Sequence, residues 1–238
     1  MNLHLPQSMD ASVELQTFMS VNDHIVSSQN NSPCIGLVQD GLVASYLLTL
    51  NSTFMKKDIM MNCIMPIVME KRLNFDFLEF SKRASKYYPE LFEEDKNGNF
   101  IFLDKPIPGK VFYSTLFKSD FSYKLESKTL KSNPTVIIEN GIITKESGPF
   151  CKKIVGAKSN SIIHVLYHEY SPKVASDFLS FSQFIINRWL PIVGFSVGIN
   201  DCLLSTHKEV NEAIIKSEFE CEEKIKIGSE TCEMEINK

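Results

Sequence analysis

Val136-Ile137-Ile138-Glu139-Asn140-Gly141-Ile142-Ile143-Thr144 is the stretch on which the fold turns, two β-branched runs joined by Asn-Gly. Asn-Gly accepts the positive φ values of a type I′ turn, so the segment is predicted to be a β-hairpin. The signals on either side of it are mostly helical. The predicted class is therefore α+β: mixed helices with short strands and a hairpin, followed by a helical C-terminal portion.

Upstream, Leu3 to Pro6 alternates enough for a short strand, and Ser8 can cap a helix whose apolar positions are Ala11, Leu15, Phe18 and Met19. A polar segment from Ser27 to Pro33 leads to Cys34-Ile35-Gly36-Leu37-Val38, which reads as a short buried strand. Asp40 to Leu50 reads as a helix. Ser52 can cap another that runs from Phe54 through Ile64 and stops at Pro66. Phe75 to Tyr88 is an amphipathic helix with Phe77, Phe80 and Ala84 on one side, ended by Pro89. After the acidic turn at Glu93 to Gly98 and the apolar run Phe100 to Leu103, Pro106 and Pro108 fix an extended lead into a helix over Val111 to Phe117. Lys110 sits just after Pro108-Gly109, where a positive charge opposes the helix dipole. The ordinary expectation for such a lysine is a solvated surface side chain.

Downstream of the hairpin, Ile162 to Tyr167 is rich in β-branched residues and reads as extended chain. Ser171-Pro172 opens a helix with Val174, Phe178, Phe181, Ile185 and Trp189 in one stripe, interrupted at Pro191 and Gly194. Thr206-His207-Lys208-Glu209 forms a capping box for a charged helix with Val210, Ala213, Ile214 and Cys221 facing inward.

The chain has 238 residues, 43% hydrophobic and 23% charged, with 25 basic and 29 acidic side chains and a net charge of −4. That is the composition of a globular protein of one or two domains. The longest uncharged apolar stretch, Trp189 to Ile199, is too short for a membrane span and contains Pro191, so no membrane partner is expected. Met1 to Pro6 has neither a basic leader nor a small-residue cleavage site, and the six scattered cysteines Cys34, Cys63, Cys151, Cys202, Cys221 and Cys232 form no close pair. Both features predict an intracellular protein with reduced thiols. Basic residues are almost all lysine, with only Arg72, Arg83 and Arg188 as arginines, and they are dispersed among acids. Composition thus argues against independent capture of nucleic acid.

His164 and His168 stand four apart beside Glu169, but the spacing on an extended segment repeats one face, and no H-E-x-x-H occurs. A metal site is not expected there or at Cys221 and Cys232. No G-x-S-x-G elbow, P-loop or G-x-G-x-x-G is present. The residues alone therefore describe an α+β protein with no self-contained active site.

Met1-Asn2-Leu3-His4-Leu5-Pro6-Gln7-Ser8 resembles the residues that follow the metal-binding N-A-D-F-D-G-D sequence in the largest subunit of multisubunit DNA-directed RNA polymerases. The likeness continues in order. Val26 to Asp40 is similar to that subunit's I-x-S-P-Q-x-N-x-P-x-x-G-x-x-Q-D stretch, and Pro108-Gly109-Lys110 falls at its G-K before a pore helix. Ile138 to Gly141 and Val155-Gly156 match its hairpin, Ser161 to Val165 its I-H-V segment, and Phe184 to Asp201 its W-L…G-F-S-x-G-I-x-D.

The resemblance implies the pore domain over residues 1–165 and the helical start of the funnel domain over 166–238, lining the secondary channel through which nucleotides enter and backtracked RNA leaves. It further implies Mg²⁺ in the assembled enzyme, held by aspartates outside this chain, so that no catalytic or metal-binding residue is expected here and the chain is not active alone. Partners implied are the remaining segments of the largest subunit, the second-largest subunit, other polymerase subunits, the DNA template and RNA, and a cleavage factor at the funnel. Lys110 is the one site residue carried over, expected to face the pore and attract triphosphates. The family's Gln after Gly-Lys is Val111 here, Lys71 to Leu103 departs from the family pattern, and Ile227 to Lys238 does not continue it. Lysine-rich, arginine-poor usage suggests an AT-rich source such as a large DNA virus. The implied location is the nucleus, the cytoplasm or a viral factory. A contrasting reading is a stand-alone, non-catalytic binding module derived from the same pore and funnel.

Overall fold

A computed structural model describes residues 2–69, 75–96, 98–126, 135–202 and 207–236. The chain forms two compact units, Met1–Val193 and Gly194–Lys238. The first includes the helix that starts at Pro172, which buries Phe178, Ile185 and Trp189 in the same core as the hairpin.

The first unit opens with helix α1 (Met9–Thr17), capped as predicted by Ser8, whose Oγ accepts from the Ala11 N–H at 3.2 Å. The preceding residues form no strand; Leu3 and Leu5 are 93% and 82% exposed. Strands β1 (Val26–Ser27) and β2 (Ser32–Pro33) pair across a tight turn. The strand expected at Cys34 to Val38 is instead irregular chain laid against residues 155–157. Leu37 N–H donates to the Val155 carbonyl at 2.9 Å, and a Cβ on Gly36 would lie 2.3 Å from the Ala157 nitrogen. Side-on contact with that segment takes the place of a ladder.

Helix α2 (Asp40–Leu48) follows, then β3 (Phe54–Met55) and α3 (Lys57–Met69). Phe54, expected inside a helix capped by Ser52, pairs instead with Pro108, and Pro66 does not stop α3. A proline there forfeits one backbone hydrogen bond. Burial of Ile64 and Ile67 on either side, worth about 1.5–3 kcal/mol each, offsets that loss. Helix α4 (Phe77–Tyr87) starts at Asp76, whose carboxylate accepts from Leu78 and Glu79 N–H groups, and buries Phe80 and Ala84 as expected. Strands β4 (Phe92–Glu94) and β5 (Phe100–Phe102) form a hairpin, and β6 (Ile107–Pro108) leads into α5 (Gly109–Ser114). Lys71 to Asn74, part of the divergent stretch, lie outside the described residues.

The predicted hairpin is β8 (Thr135–Glu139) with β9 (Ile142–Ile143), turning through Asn140 at φ 50° and Gly141 at φ 71°, with β7 (Tyr123–Glu126) on the other edge of β8. Val136, Ile138, Ile142 and Ile143 are fully buried. They meet Phe112 and Tyr113 of α5 in a core extended by aromatic pairs such as Tyr113–Phe150 at 5.3 Å and Phe117–Phe178 at 5.3 Å.

Beyond α6 (Lys152–Val155), residues 162–169 are helix α7 (Ile162–Glu169) and not extended chain. Ser161 caps it, its Oγ accepting from the His164 N–H, and Ile162, Ile163 and Leu166 are buried at helical spacing. Helix α8 (Pro172–Val193) runs through Pro191 and ends where Gly194 adopts φ 76°.

The second unit holds α9 (Ile199–Cys202) and α10 (His207–Ile236). The inward face predicted at Val210, Ala213, Ile214 and Cys221 is exposed, as is every described side chain from Lys208 to Lys226. Among the described residues this unit supplies no second layer against which such a face could be buried. Thr206, the predicted cap, lies outside the described residues.

Candidate functional site

The start of α5 is where the sequence placed its one site residue. Antiparallel pairing of Phe54 with Pro108 and Met55 with Ile107 brings the chain alongside α2, and Gly109 N–H donates to the Thr53 carbonyl at 3.0 Å. Gly109 then passes so close to the end of α2 that a Cβ would sit 2.1 Å from the Leu48 carbonyl oxygen. Only glycine allows this approach, and the approach fixes where the next side chain goes.

That side chain, Lys110, is 2% exposed, so the solvated position ordinarily expected of it is not the one found. Nor does it face open solvent as a pore-lining charge would. Its Nζ donates to Asn51 Oδ1 at 2.5 Å, to the Lys145 carbonyl at 2.9 Å and to the Ser147 carbonyl. An ammonium group has three hydrogens, and all three are used. No carboxylate is among the partners, so the charge is solvated by neutral oxygens alone. Burial pulls the Lys110 amine down to about 8 from its ordinary 10.5.

Neighbouring polar side chains extend this seam. Ser114 Oγ donates to the Lys110 carbonyl at 2.7 Å and accepts from the Ile143 N–H at 2.9 Å, tying α5 to the hairpin. Thr49 Oγ1 donates to the Ser45 carbonyl and accepts from the Phe150 N–H, both at 2.7 Å. Ser147 Oγ accepts from the Ile137 N–H at 3.2 Å. Tyr88 Oη donates to the Ile143 carbonyl at 2.8 Å, and burial raises its phenol above the ordinary range. The segment 143–150 is thus held from several sides by the side chains of Thr49, Tyr88, Lys110 and Ser114.

By contrast, Lys145 is half-exposed and paired with Glu90 at 2.6 Å, while Lys152 and Lys153 at the start of α6 are exposed. His164 and His168 lie on one face of α7 with ring centroids 4.7 Å apart. The His164 Nδ1 accepts from the Asn160 N–H at 3.2 Å, and His168 Nε2 is 3.1 Å from Asn31 Oδ1. Among the described residues no grouping of three or more His, Cys, Asp or Glu could hold a metal ion, and no helix is long and apolar enough to cross a membrane. A cleft of about 870 Å³ mixes Glu79, Asp120 and Asp177 with Arg83 and Lys118 over Phe178, a lining of both signs that favours no single charged ligand.

Sequence reasoning found Lys110 but not the oxygens around it. Asn51, Lys145 and Ser147 lie 59, 35 and 37 residues away along the chain. The one local signal was the dipole-opposing lysine itself, which a surface position would leave unexplained.

Residues 24–202 match the family RNA polymerase Rpb1, domain 3. A probable DNA-directed RNA polymerase II subunit RPB1 homolog of Invertebrate iridescent virus 6 is 30% identical over 234 residues, covering 97% of this chain and 21% of that protein. The DNA-directed RNA polymerase II subunits RPB1-A and RPB1-B of Trypanosoma brucei brucei are each 29% identical over 245 residues, covering all of this chain and 12% of theirs. The match takes in most of the first compact unit, including the hairpin, the start of α5 and all of α8, and on that ground this chain belongs to the RNA polymerase Rpb1, domain 3 family.

Proposed function

We propose that the chain works as part of the largest subunit of a DNA-directed RNA polymerase, forming wall of the secondary channel and supplying none of the metal-binding aspartates. The observation that carries this reading is the family match over residues 24–202, joined to a core built around the same segments. RNA synthesis from nucleoside triphosphates would then belong to the assembly, with the other polymerase subunits, template and RNA as partners and a cleavage factor at the funnel. The Mg²⁺ ions such an enzyme uses in phosphoryl transfer would be held elsewhere. No chemical step is assigned to this chain in this reading. The assembly would work inside the cell, in the nucleus, the cytoplasm or a viral factory.

Lys110 enters this reading differently from the expectation. Its side chain is buried and fully bonded, which supports a role in shaping the wall and not in drawing triphosphates along it. A Lys110→Glu substitution would place a carboxylate against three oxygens and disturb the fold, so it cannot report on the channel.

The test uses polymerase purified from the source and halted on a template with a photoreactive nucleotide at the RNA 3′ end, backtracked by a few nucleotides. Crosslinks to this chain support the channel wall. An active polymerase containing no peptide of this chain would overturn the reading and favour the stand-alone module.

A further inference from the structure

Lysine is among the residues least often buried without a charged partner. Lys110 is 2% exposed, and all its partners are neutral oxygens. Those oxygens come from two places far apart in sequence, the turn after α2 at Asn51 and the chain after the hairpin at Lys145 and Ser147. Both Lys110 and Ser147 are held independently of the ammonium group. Gly109 is pressed on the Leu48 carbonyl, and the Ser147 hydroxyl accepts from Ile137. The Lys145 and Ser147 carbonyls, with the amide oxygen of the exposed Asn51 completing the set, therefore make a receptor for a cation with hydrogens to donate.

We infer that Asn51 Oδ1 and the carbonyls of Lys145 and Ser147 form a cage for a primary ammonium ion, that the Lys110 side chain is its tethered occupant, and that occupancy fixes the course of residues 145–150. Lys110 is thus a positioning residue. The inference does not depend on polymerase activity, since cage and occupant lie within this chain.

The cage predicts chemical rescue. Lys110→Ala should lower the Tm and speed hydrogen exchange at the amides of Ser147, Gly148 and Phe150. Propylammonium chloride should restore most of both losses, and tetramethylammonium chloride at equal ionic strength should not, because it carries the charge without N–H donors. Equal effects of the two salts, or a Lys110→Ala variant with wild-type exchange, would overturn the cage.

If the alanine variant does not fold, two measurements still decide. Reductive methylation of the unmodified chain should reach Lys110 roughly tenfold or more slowly than Lys152 and Lys153, since it requires local opening. Lys110→Met, which keeps the length but removes the donors, should show faster exchange at 145–150 than the parent. Methylation of Lys110 at the rate of the exposed lysines, or unchanged exchange in Lys110→Met, would refute the inference.

Discussion

Lys110 Nζ donates to the carbonyl oxygen of Lys145 at 2.9 Å, while the Lys145 side chain turns outward to Glu90 at 2.6 Å. Two lysines meet at one peptide group and play opposite parts, the first buried and bound to oxygens, the second half-exposed in a surface ion pair. Their energetic consequences should differ accordingly.

Lys110→Met leaves three acceptors without a donor. Asn51 is an exposed residue whose amide can turn to water, so the cost falls mainly on the two carbonyls; at about 1–3 kcal/mol for an unsatisfied buried acceptor, the expected loss is about 2–4 kcal/mol. Glu90→Gln should cost under about 1 kcal/mol and less still in high salt, as for other exposed pairs. Urea unfolding of both variants checks the contrast; equal losses would contradict it.

The depressed Lys110 pKa has a signed consequence. Between the folded value of about 8 and the ordinary 10.5, the unfolded chain binds a proton that the folded chain has released, so stability from this group rises with pH. Below about 8 both states are protonated and the contribution is flat. The stability difference between the parent chain and Lys110→Met should therefore grow from about pH 8 to about pH 10.5. A difference that stays constant through that window would show that the buried amine keeps its ordinary affinity for protons.

Gly109 and Gly194 separate two reasons for glycine. Alanine at 109 would force its Cβ to 2.1 Å from the Leu48 carbonyl, which the backbone of α2 cannot yield to cheaply, so a loss of about 3 kcal/mol or more is expected. At Gly194, φ is 76° but, among the described residues beyond its two chain neighbours, no atom lies within 4 Å of the place a Cβ would take, so Gly194→Ala should cost only the left-handed strain of about 1–2 kcal/mol. Thermal unfolding would test the order; a costlier Gly194→Ala would reverse it.

Much of this fold is legible in the sequence where one local rule acts alone. Asn140-Gly141 specifies the hairpin turn, Ser8 sits where a cap belongs, and the Phe178 to Trp189 stripe is the buried face of α8. Expectations fail where two rules compete. At residues 162–167 the β-branched side chains pointed to extended chain, and the Ser161 cap together with burial of Ile162, Ile163 and Leu166 prevailed. At Pro66 the proline rule lost to packing on both sides of it. The site followed the same division: Lys110 was marked by the family's Gly-Lys match, local rules alone pointing to a surface lysine, while its partners are brought together by β3 pairing with β6 and by the return of the chain after the hairpin.

The central claim is that this chain is a working part of an RNA polymerase. It is tested most directly by purifying the chain through an affinity tag from its source and assaying the bound and unbound fractions for DNA-templated RNA synthesis. The activity should elute with the tagged chain, together with the second-largest subunit in equal amount. Activity left wholly in the unbound fraction, with the tagged chain eluting free of polymerase subunits, would contradict the claim.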